Sequence, residues 1–302
     1  MFKTRSRFNQ GVFSCLGQHR LKVIKTVLWL SLSQKWEKNM NYISEPITSR
    51  DNPAVKHFRK LMTSKKERRS CREFALEGSR LVFDALKNNA PVTKLLITVS
   101  AAAKYENLLS EYSDIEKIFI SDELGEKISD TGTTQGIFAQ CDFIDCDNIR
   151  FSLKLYGRYV VLSGLQDPGN AGMIIRTADA MGLDGVILSN SCDIYNPKVV
   201  RATMGSLFRI PVFSDVSEDE IFMALDSAQI PSFAAVVDRN ATDLNNADFS
   251  RGGAIFIGNE GNGLSDGVVL KCKESITIKM HGNIESLNAA MATGIIMWEL
   301  MK

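Results

Sequence analysis

Histidine is scarce in this sequence, and its scarcity narrows the chemistry that the chain can support. The 302 residues include three histidines, His19, His57 and His281. Catalytic zinc sites commonly take two or three histidines, and a Ser-His-Asp triad requires one beside its nucleophile. We therefore expect neither a histidine-based metal centre nor a catalytic triad, and we expect no metal ion as cofactor.

Paired cysteines and long apolar runs are also missing. The six cysteines form no CxxC pair and follow no regular spacing. This usage favours a reduced intracellular compartment over a disulfide framework, so we expect a cytoplasmic protein. No apolar run approaches the ~20 residues that a membrane span needs, which predicts no membrane partner.

The chain lacks an overall basic charge, although its beginning is strongly basic. Residues 1–39 carry eight Lys or Arg and one acid, a formal +7, so the rest sums to −6 within a net charge of +1. We separate residues 1–46 as a basic extension. Two interpretations are open: a transit peptide, or an over-long reading frame whose real start is Met40. Any nucleic-acid contact of the remaining chain must then be local.

Residues 47–143 alternate short strands and helices, which predicts a small α/β domain. One long helix is expected to begin at Asp51–Pro53, with Pro53 in its first turn. From Lys56 to Arg72 the sequence has eight basic residues and one acid, Glu67. The run predicts contacts with RNA phosphates, and the alternative is a solvated helix face. The four residues predicted to bind RNA are Lys65, Lys66, Arg68 and Arg69.

Residues 144–157 lose periodicity and are predicted to be a linker. From 158 to 302, strands alternate with helices, beginning with the continuous apolar run YVVLSGL at 159–165. A strand of this kind is typical of a sheet covered on both faces. The second domain is therefore predicted to be α/β, with a doubly wound parallel sheet.

Three segments of this second domain share one layout, an apolar strand followed by a loop rich in Gly and Asn. They are Leu162–Gly182, Ala254–Ser265 and Ile276–Met301. Loops at the carboxyl ends of parallel strands should converge on one pocket, which we predict to be the active site. The glycine spacings fit neither GxGxxG nor GxxxxGK[ST], so a dinucleotide site and a P-loop are not indicated.

Each loop also has a simpler interpretation. Asn170 and Ser286 could be helix caps and no more. Arg176 could be a plain surface residue, whereas the functional interpretation has it hold a phosphate. Glu260 could be a residue of a plain tight turn. The last helix is expected to begin near Ser286. Its apolar stripe is either core-facing or a dimer interface, and consists of Leu287, Ala290, Met291, Gly294, Ile295 and Trp298.

The motifs NAGMIIRTADAMG, FIGNEGNGLS and IKMHGNIESLNAAMATG resemble, in order, the three motifs of the SpoU (TrmH-like) family of RNA ribose 2′-O-methyltransferases, in the SPOUT class. FALEGSRLVFDAL and TGTTQGIFAQ resemble the small RNA-substrate-binding domain that often precedes it. The sequence departs from the family at Lys279 and near Thr134, where Pro is usual, and at Ala289, where Val is common.

The resemblance implies S-adenosylmethionine as cofactor, a C-terminal trefoil knot and a homodimer in which each site is completed by the partner. Cofactor contacts are expected at Gly258, Ile278 and Leu287. The methyl-transfer centre is expected to involve Asn170, Arg176, Glu260, Ser286 and Asn288.

The substrate expected from the resemblance is structured RNA. Ribosomal RNA is favoured, because the first domain resembles a ribosomal-protein-like RNA binder. Transfer RNA is the alternative substrate, and methylation of a base is the alternative reaction. The alternative classes of protein are a non-catalytic RNA-binding protein on the same fold and an unrelated nucleotide-dependent enzyme.

Overall fold

Two β-sheets organise the part of the chain that the structure describes. The structure is a computed structural model, and it describes residues 45–145 and 149–302. Residues 1–44, which make up most of the predicted basic extension, lie outside the described residues. Residues 47–302 form one compact unit, so the predicted domain boundaries at 143 and 158 stay predictions.

The first sheet has four strands in the order β1-β4-β2-β3. β4 pairs antiparallel with both β1 and β2, whereas β2 and β3 are parallel. The strands are β1 (Glu73–Glu77), β2 (Val92–Thr98), β3 (Glu116–Ile120) and β4 (Ile137–Asp142). The helices are α1 (Pro53–Thr63), α2 (Lys65–Cys71), α3 (Ser79–Lys87), α4 (Val99–Lys104), α5 (Glu106–Ser110) and α6 (Asp122–Ile128). Phe58 of α1 packs edge-on against Phe138, which anchors α1 to one face of the sheet.

The long basic helix expected after Asp51 is divided in two at Ser64. Ser64 adopts an extended conformation, and its hydroxyl accepts the Glu67 N–H, so it caps α2. A side-chain oxygen that satisfies a free N–H stabilises a new helix start, which explains the break. Asn52 caps α1 in the same way, with Pro53 in the first turn as predicted.

The prediction that Arg68 binds RNA is contradicted by its position. The Arg68 side chain is 3% exposed and forms an ion pair with Asp193 at 2.7 Å. Its guanidinium also donates to the Leu61 carbonyl at 2.6 Å. These contacts consume the donors that a phosphate would need. Arg69 is exposed, yet it pairs with Asp215, whereas Lys65 and Lys66 remain exposed.

The second sheet has seven strands in the order β7-β6-β5-β10-β8-β11-β9, and all of its pairs are parallel. The predicted doubly wound parallel sheet is thereby confirmed. The strands are β5 (Arg158–Ser163), β6 (Gly185–Ser189), β7 (Val212–Phe213), β8 (Ser232–Ala235), β9 (Thr242–Asp243), β10 (Gly253–Ile257) and β11 (Glu274–Thr277). The sequence did not predict β9.

Helices cover both faces of this sheet. They are α7 (Ile149–Ser152), α8 (Pro168–Met181), α9 (Pro197–Ala202), α10 (Glu218–Ser227), α11 (Asp266–Lys271) and α12 (Ala289–Leu300). Val160 and Leu162 of β5 pack into one core, and Tyr159 and Val161 pack into the other. This arrangement explains the continuous apolar run at 159–165, because a strand buried on both faces has no polar side.

Part of the segment predicted to be a linker is held in place by hydrogen bonds. The Tyr195 hydroxyl accepts the N–H groups of Ile144 and Asp145 at 2.9 and 2.8 Å. It donates to the Asp145 carboxylate at 2.8 Å. Helix α7 also falls within the predicted linker. Among the described helices, none is both long and apolar enough to cross a membrane.

Candidate active site

Helix α8 begins one turn earlier than the sequence suggested, and this changes the position of Asn170. Asp167 is the cap, because its carboxylate accepts the Asn170 N–H at 2.7 Å, and Pro168 opens the helix. Asn170 therefore lies inside the first turn and is not the cap. Its side chain is nearly buried, with 9% of the residue exposed. A buried amide needs hydrogen-bond partners on both its oxygen and its nitrogen.

The Asn170 amide finds these partners on the other two loops. Its nitrogen donates to Glu260 Oε1 at 3.1 Å. Its oxygen accepts from Asn288 Nδ2 at 3.0 Å. One buried side chain thus joins the loops after β5, β10 and β11. The predicted convergence of the three loops is present in the fold.

Glu260 accepts hydrogen bonds from backbone N–H groups of the first loop. Its two carboxylate oxygens accept the N–H groups of Gln166 and Asp167 at 3.1 and 2.9 Å, in addition to the Asn170 amide. Partial burial acts to raise the pKa of Glu260, but the hydrogen bonds from Gln166, Asp167 and Asn170 outweigh it. The pKa therefore lies below its ordinary value of 4.5. Hydrogen bonds to the ionised form produce this direction of shift.

The second loop is closed by Asn259, which sequence reasoning missed. Asn259 and Gly263 exchange two backbone hydrogen bonds, each of 2.9 Å. The Asn259 side chain donates to the Gly164 carbonyl at 3.0 Å and accepts the Gly261 N–H at 2.9 Å. The signal available in the sequence was the first Asn in GNEGNG, because Asn side chains commonly close turns on their own backbone.

Gly258 permits the closest backbone approach in this loop. A Cβ atom on Gly258 would lie 2.2 Å from the Gly263 carbonyl carbon and 2.3 Å from the Leu264 nitrogen. No side chain fits there without moving backbone, which is the physical reason for glycine at the end of β10.

The third loop ends at a cap that differs from the predicted one. Asn288 caps α12, because its oxygen accepts the N–H groups of Ala290 and Met291 at 3.0 and 3.3 Å. The predicted helix start near Ser286 is therefore wrong by two residues, and Ser286 is an exposed loop residue. Since its oxygen serves α12 and its nitrogen serves Asn170, Asn288 fixes the third loop against the first.

A cavity of about 550 Å³ opens between the second and third loops. Its lining includes the three predicted cofactor contacts, Gly258, Ile278 and Leu287. Glu260, Ser286 and Asn288 also line the cavity. Asn170 does not line it, but its amide oxygen accepts a hydrogen bond from Asn288, which does. The volume falls within the range of about 300–1,000 Å³ usual for small-molecule sites.

Arg176 does not line this cavity. Its side chain lies on the exposed side of α8 and forms no hydrogen bond or ion pair with the residues that the structure describes. Its exposed neighbour Met173 lies one turn earlier on the same helix. Within one chain, the structure therefore leaves Arg176 apart from the other four predicted residues.

The unusual Lys279 has a partner. Its ammonium group lies 3.1 Å from the Asp243 carboxylate, which caps the turn after β9. The Asn245 N–H and Lys279 together hold the pKa of Asp243 below its usual value. A lysine at this position can therefore hold the start of the third loop against the edge of the sheet.

The fold and the cavity define a parallel-sheet protein with a small-molecule site at a meeting of three loops, and comparison with known proteins identifies its family. Residues 157–298 match the SpoU rRNA methylase family, and residues 52–139 match the MRM3-like substrate binding domain. A 23S rRNA (guanosine(2553)-2′-O)-methyltransferase of Bacillus subtilis is 32% identical over 264 residues, which cover 84% of this chain and 98% of that protein.

A 23S rRNA (uridine(2479)-2′-O)-methyltransferase of Streptomyces viridochromogenes is 30% identical, over 85% of this chain and 91% of its own. The AdoMet-bound rRNA methyltransferase of Sinorhizobium meliloti superposes with a TM-score of 0.76 at 29% identity, covering 85% and 97% of the two chains. The SpoU methyltransferase AviRb of Streptomyces viridochromogenes, also bound to AdoMet, gives a TM-score of 0.75 at 27% identity, covering 83% and 97%.

The chain belongs to the SpoU RNA methylase family. It is an RNA methyltransferase that uses S-adenosylmethionine, in agreement with the resemblance of its three motifs.

Proposed function

We propose that this chain transfers a methyl group to a ribose 2′-hydroxyl of ribosomal RNA. The observation that carries the proposal is the amide of Asn170, which joins Glu260 and Asn288 beside a cavity lined by the predicted cofactor contacts. The Bacillus and Streptomyces relatives are both named for 2′-O-methylation of 23S rRNA, which favours ribosomal over transfer RNA as the substrate.

The residues of the cavity fit S-adenosylmethionine, which when bound supplies an electrophilic methyl group. Ile257, Ile278 and Ile296 provide an apolar wall, and the loop 258–264 offers backbone groups beside it. Flat apolar walls with a few polar groups are typical of nucleoside-binding pockets. We assign Gly258, Ile278 and Leu287 to cofactor contact.

Glu260 is proposed to be an ionised anchor and not the proton acceptor for the 2′-hydroxyl. Both of its oxygens already accept hydrogen bonds, and its pKa is held below the ordinary value. An acid with a low pKa is a poor general base near neutral pH. Its role is to keep the first loop in place, while the exposed Ser286 hydroxyl orients the attacking oxygen.

Arg176 is proposed to hold the phosphate beside the target ribose. A guanidinium group stays protonated and presents a planar set of donors, which suits a phosphate and does not suit proton removal. Because Arg176 lies apart from the cavity of its own chain, we propose that it acts at the cavity of a second copy.

A homodimer is proposed on the basis of an exposed apolar face on α12. Met291, Ile295 and Trp298 are 58%, 39% and 61% exposed, and Met173 of α8 is 52% exposed. Helices α8 and α12 pack together, with Thr177 3.9 Å from the position of a Cβ on Gly294. Contiguous apolar surface of this kind is typical of protein interfaces. This face, formed by Met173, Met291, Ile295 and Trp298, would place Arg176 at the dimer interface.

Three further expectations belong to the same proposal. The family relationship supports a trefoil knot in the chain between β10 and α12, where the third loop lies against the first through Asn288 and Asn170. The four cysteines that the structure describes form no disulfide, which supports action in the cytoplasm. RNA contact is assigned to Lys65 and Lys66, which are exposed on α2.

The test is methyl transfer from tritiated S-adenosylmethionine to RNA from cells that lack the gene, with ribosomal and transfer RNA assayed separately. We expect one ribosomal nucleotide whose 3′ phosphodiester becomes resistant to alkali, because a 2′-O-methyl group blocks cleavage. Arg176→Ala should reduce single-turnover transfer by roughly 100-fold, the scale of lost positioning, with cofactor affinity nearly kept. Incorporation only into tRNA, only into a base, or none at all would contradict the proposal.

A further inference from the structure

Outside the methyl-transfer site, three side chains of metal-ligand type come together on the first sheet. They are His57 of α1, Cys71 at the end of α2 and Glu73 at the start of β1. One ligand atom from each of the three lies within 4.8 Å of the other two. Among the described residues, this is the one group of three such side chains close enough to hold a metal ion. We propose that these three residues bind a divalent transition-metal ion of the zinc class.

The chain path brings the three ligands to one point. Arg72 ends α2 in the left-handed conformation, with φ of 56°, and turns the chain between Cys71 and Glu73. His57 Nε2 contacts Glu73 Oε2 directly. Around zinc, Zn–S and Zn–N or Zn–O bonds of about 2.3 and 2.0–2.2 Å place ligand atoms roughly 3–4 Å apart. Small side-chain rotations therefore suffice to bind an ion.

The charges and the chemistry of the ligands suit such an ion. A thiolate and a carboxylate neutralise its two positive charges, and an N, S, O set favours zinc over magnesium or calcium. The Arg72 guanidinium is directed elsewhere, over the Phe143 ring and 3.7 Å from Asp145. Three protein ligands leave a fourth position to water.

The other nitrogen of His57 faces a carboxylate at ion-pair distance. Glu67 Oε1 lies 3.8 Å from His57 Nδ1, on the opposite side of the ring from Glu73. Carboxylates behind a metal-bound histidine fix its tautomer and orientation, and their loss typically weakens binding 10- to 100-fold. The ion would join α1, α2 and β1, and so hold the helix that carries Lys65 and Lys66.

The competing interpretation is a His57–Glu73 ion pair beside an unrelated surface thiol. Metal titration of the full chain, metal-free and kept reduced, separates the two. We expect one equivalent of Co²⁺ to bind with thiolate-to-cobalt charge-transfer absorption, and Zn²⁺ to displace it. Cys71→Ser should abolish this absorption and weaken Zn²⁺ binding at least tenfold. Glu67→Gln should weaken binding on the order of 10- to 100-fold while keeping the absorption.

Two controls locate the ion. Cys272→Ser, in the second sheet, should leave the titration unchanged. Cys15→Ser tests Cys15 and His19, a second Cys and His close together in the sequence, as an alternative source of metal binding. Since Cys71 is exposed, Cys71→Ser should fold normally, which circular dichroism checks. Absence of stoichiometric binding by the unmodified chain, or absorption that survives in Cys71→Ser or disappears in Cys15→Ser, would overturn the proposal.

Discussion

At the scale of single residues, Asn170 is the side chain that connects the three loops of the site. Its amide donates to Glu260 and accepts from Asn288, so two loops depend on one buried group. Removing one partner from a buried hydrogen-bonded network leaves the others unsatisfied, which costs more than the bond itself contributes.

Asn170→Ala should therefore damage both stability and activity. We expect the free energy of unfolding to fall by about 1–3 kcal/mol, because the donors and acceptors of Glu260 and Asn288 lose their partner. Methyl transfer should fall by roughly 100-fold through misplaced loops. Urea denaturation and single-turnover assays measure the two effects. Asn107→Ala, on the exposed side of α5, is the control, and equal behaviour of the two variants would contradict this role.

Glu260 should give the site a dependence on acid. Its folded pKa lies below the ordinary 4.5, so its stabilisation is present above that value and is lost as the pH falls through the folded pKa. Denaturation of the unmodified chain and Glu260→Gln, from about pH 7 to about pH 3, measures it. The stability difference between them should shrink as the pH falls. A difference independent of pH would show that the carboxylate charge is not involved.

Residue-level prediction succeeded where the signal was local and failed where it was not. The meeting of Asn170, Glu260 and Asn288 was predictable, because each belongs to a segment in which an apolar strand is followed by residues rich in Gly and Asn. Their roles in methyl transfer stay predictions. Arg68 was assigned to RNA because its sequence neighbours are basic. Its partner Asp193 is 125 residues away, and no pattern within α2 indicates that pairing.

At the scale of elements, the ends of helices were the least predictable feature. Asp167 and Asn170 are both good cap residues, and so are Ser286 and Asn288. Local preference does not choose within either pair. In both loops the tertiary bond between Asn170 and Asn288 selects the residues that form the first turn.

The end of β10 offers a comparison between two glycines of one loop. Gly258→Ala places a methyl group 2.2 Å from backbone, whereas the same change at Gly261 meets only Asn259 Oδ1 at 3.6 Å. We expect Gly258→Ala to cost about 1–3 kcal/mol, as overpacking does, and to abolish measurable cofactor binding by calorimetry. Gly261→Ala should retain both the stability and the cofactor affinity of the unmodified chain. Equal cofactor affinity in the two variants would refute the steric role of Gly258.

Helix α2 provides a prediction about RNA. Lys65→Gln combined with Lys66→Gln should weaken RNA binding and lower the slope of log affinity against log salt by about 1.4 to 1.8, since each phosphate contact contributes roughly 0.7–0.9. Lys198→Gln combined with Lys273→Gln, at exposed positions of the second domain, is the control. Salt slopes that remain equal to that of the unmodified chain would show that α2 is a solvated face.

At the scale of the whole molecule, the sequence predicted the layers of the second sheet but not what covers α12. The stripe on α12 was compatible with a core or an interface, because both bury apolar side chains. The structure separates them: Ala290 is buried, whereas Met291, Ile295 and Trp298 are not. Strand order was also beyond the sequence, since adjacent strands such as β5 and β10 are far apart in the chain.

Trp298→Glu tests the proposed dimer. Trp298 is 61% exposed, so the substitution should leave the fold intact while placing a charge in the interface. We expect a monomer by sedimentation and a large loss of methyl transfer, because Arg176 would no longer reach a second cavity. Leu270→Glu, at an 83% exposed residue of α11, should stay dimeric and active. A dimeric, active Trp298→Glu would place the interface elsewhere.

The buried ion pair between Arg68 and Asp193 has a consequence for the choice of target. It connects α2 to the second sheet through a guanidinium that is 3% exposed, and breaking a buried pair of this kind costs about 3–5 kcal/mol. The separation between Lys65 and the cavity is therefore a fixed length. An RNA bound at α2 would present to the cavity only those nucleotides that lie at this distance from its contact with Lys65. Under the RNA contacts proposed for Lys65 and Lys66, target selection would then depend on the three-dimensional spacing of the RNA as well as on its sequence.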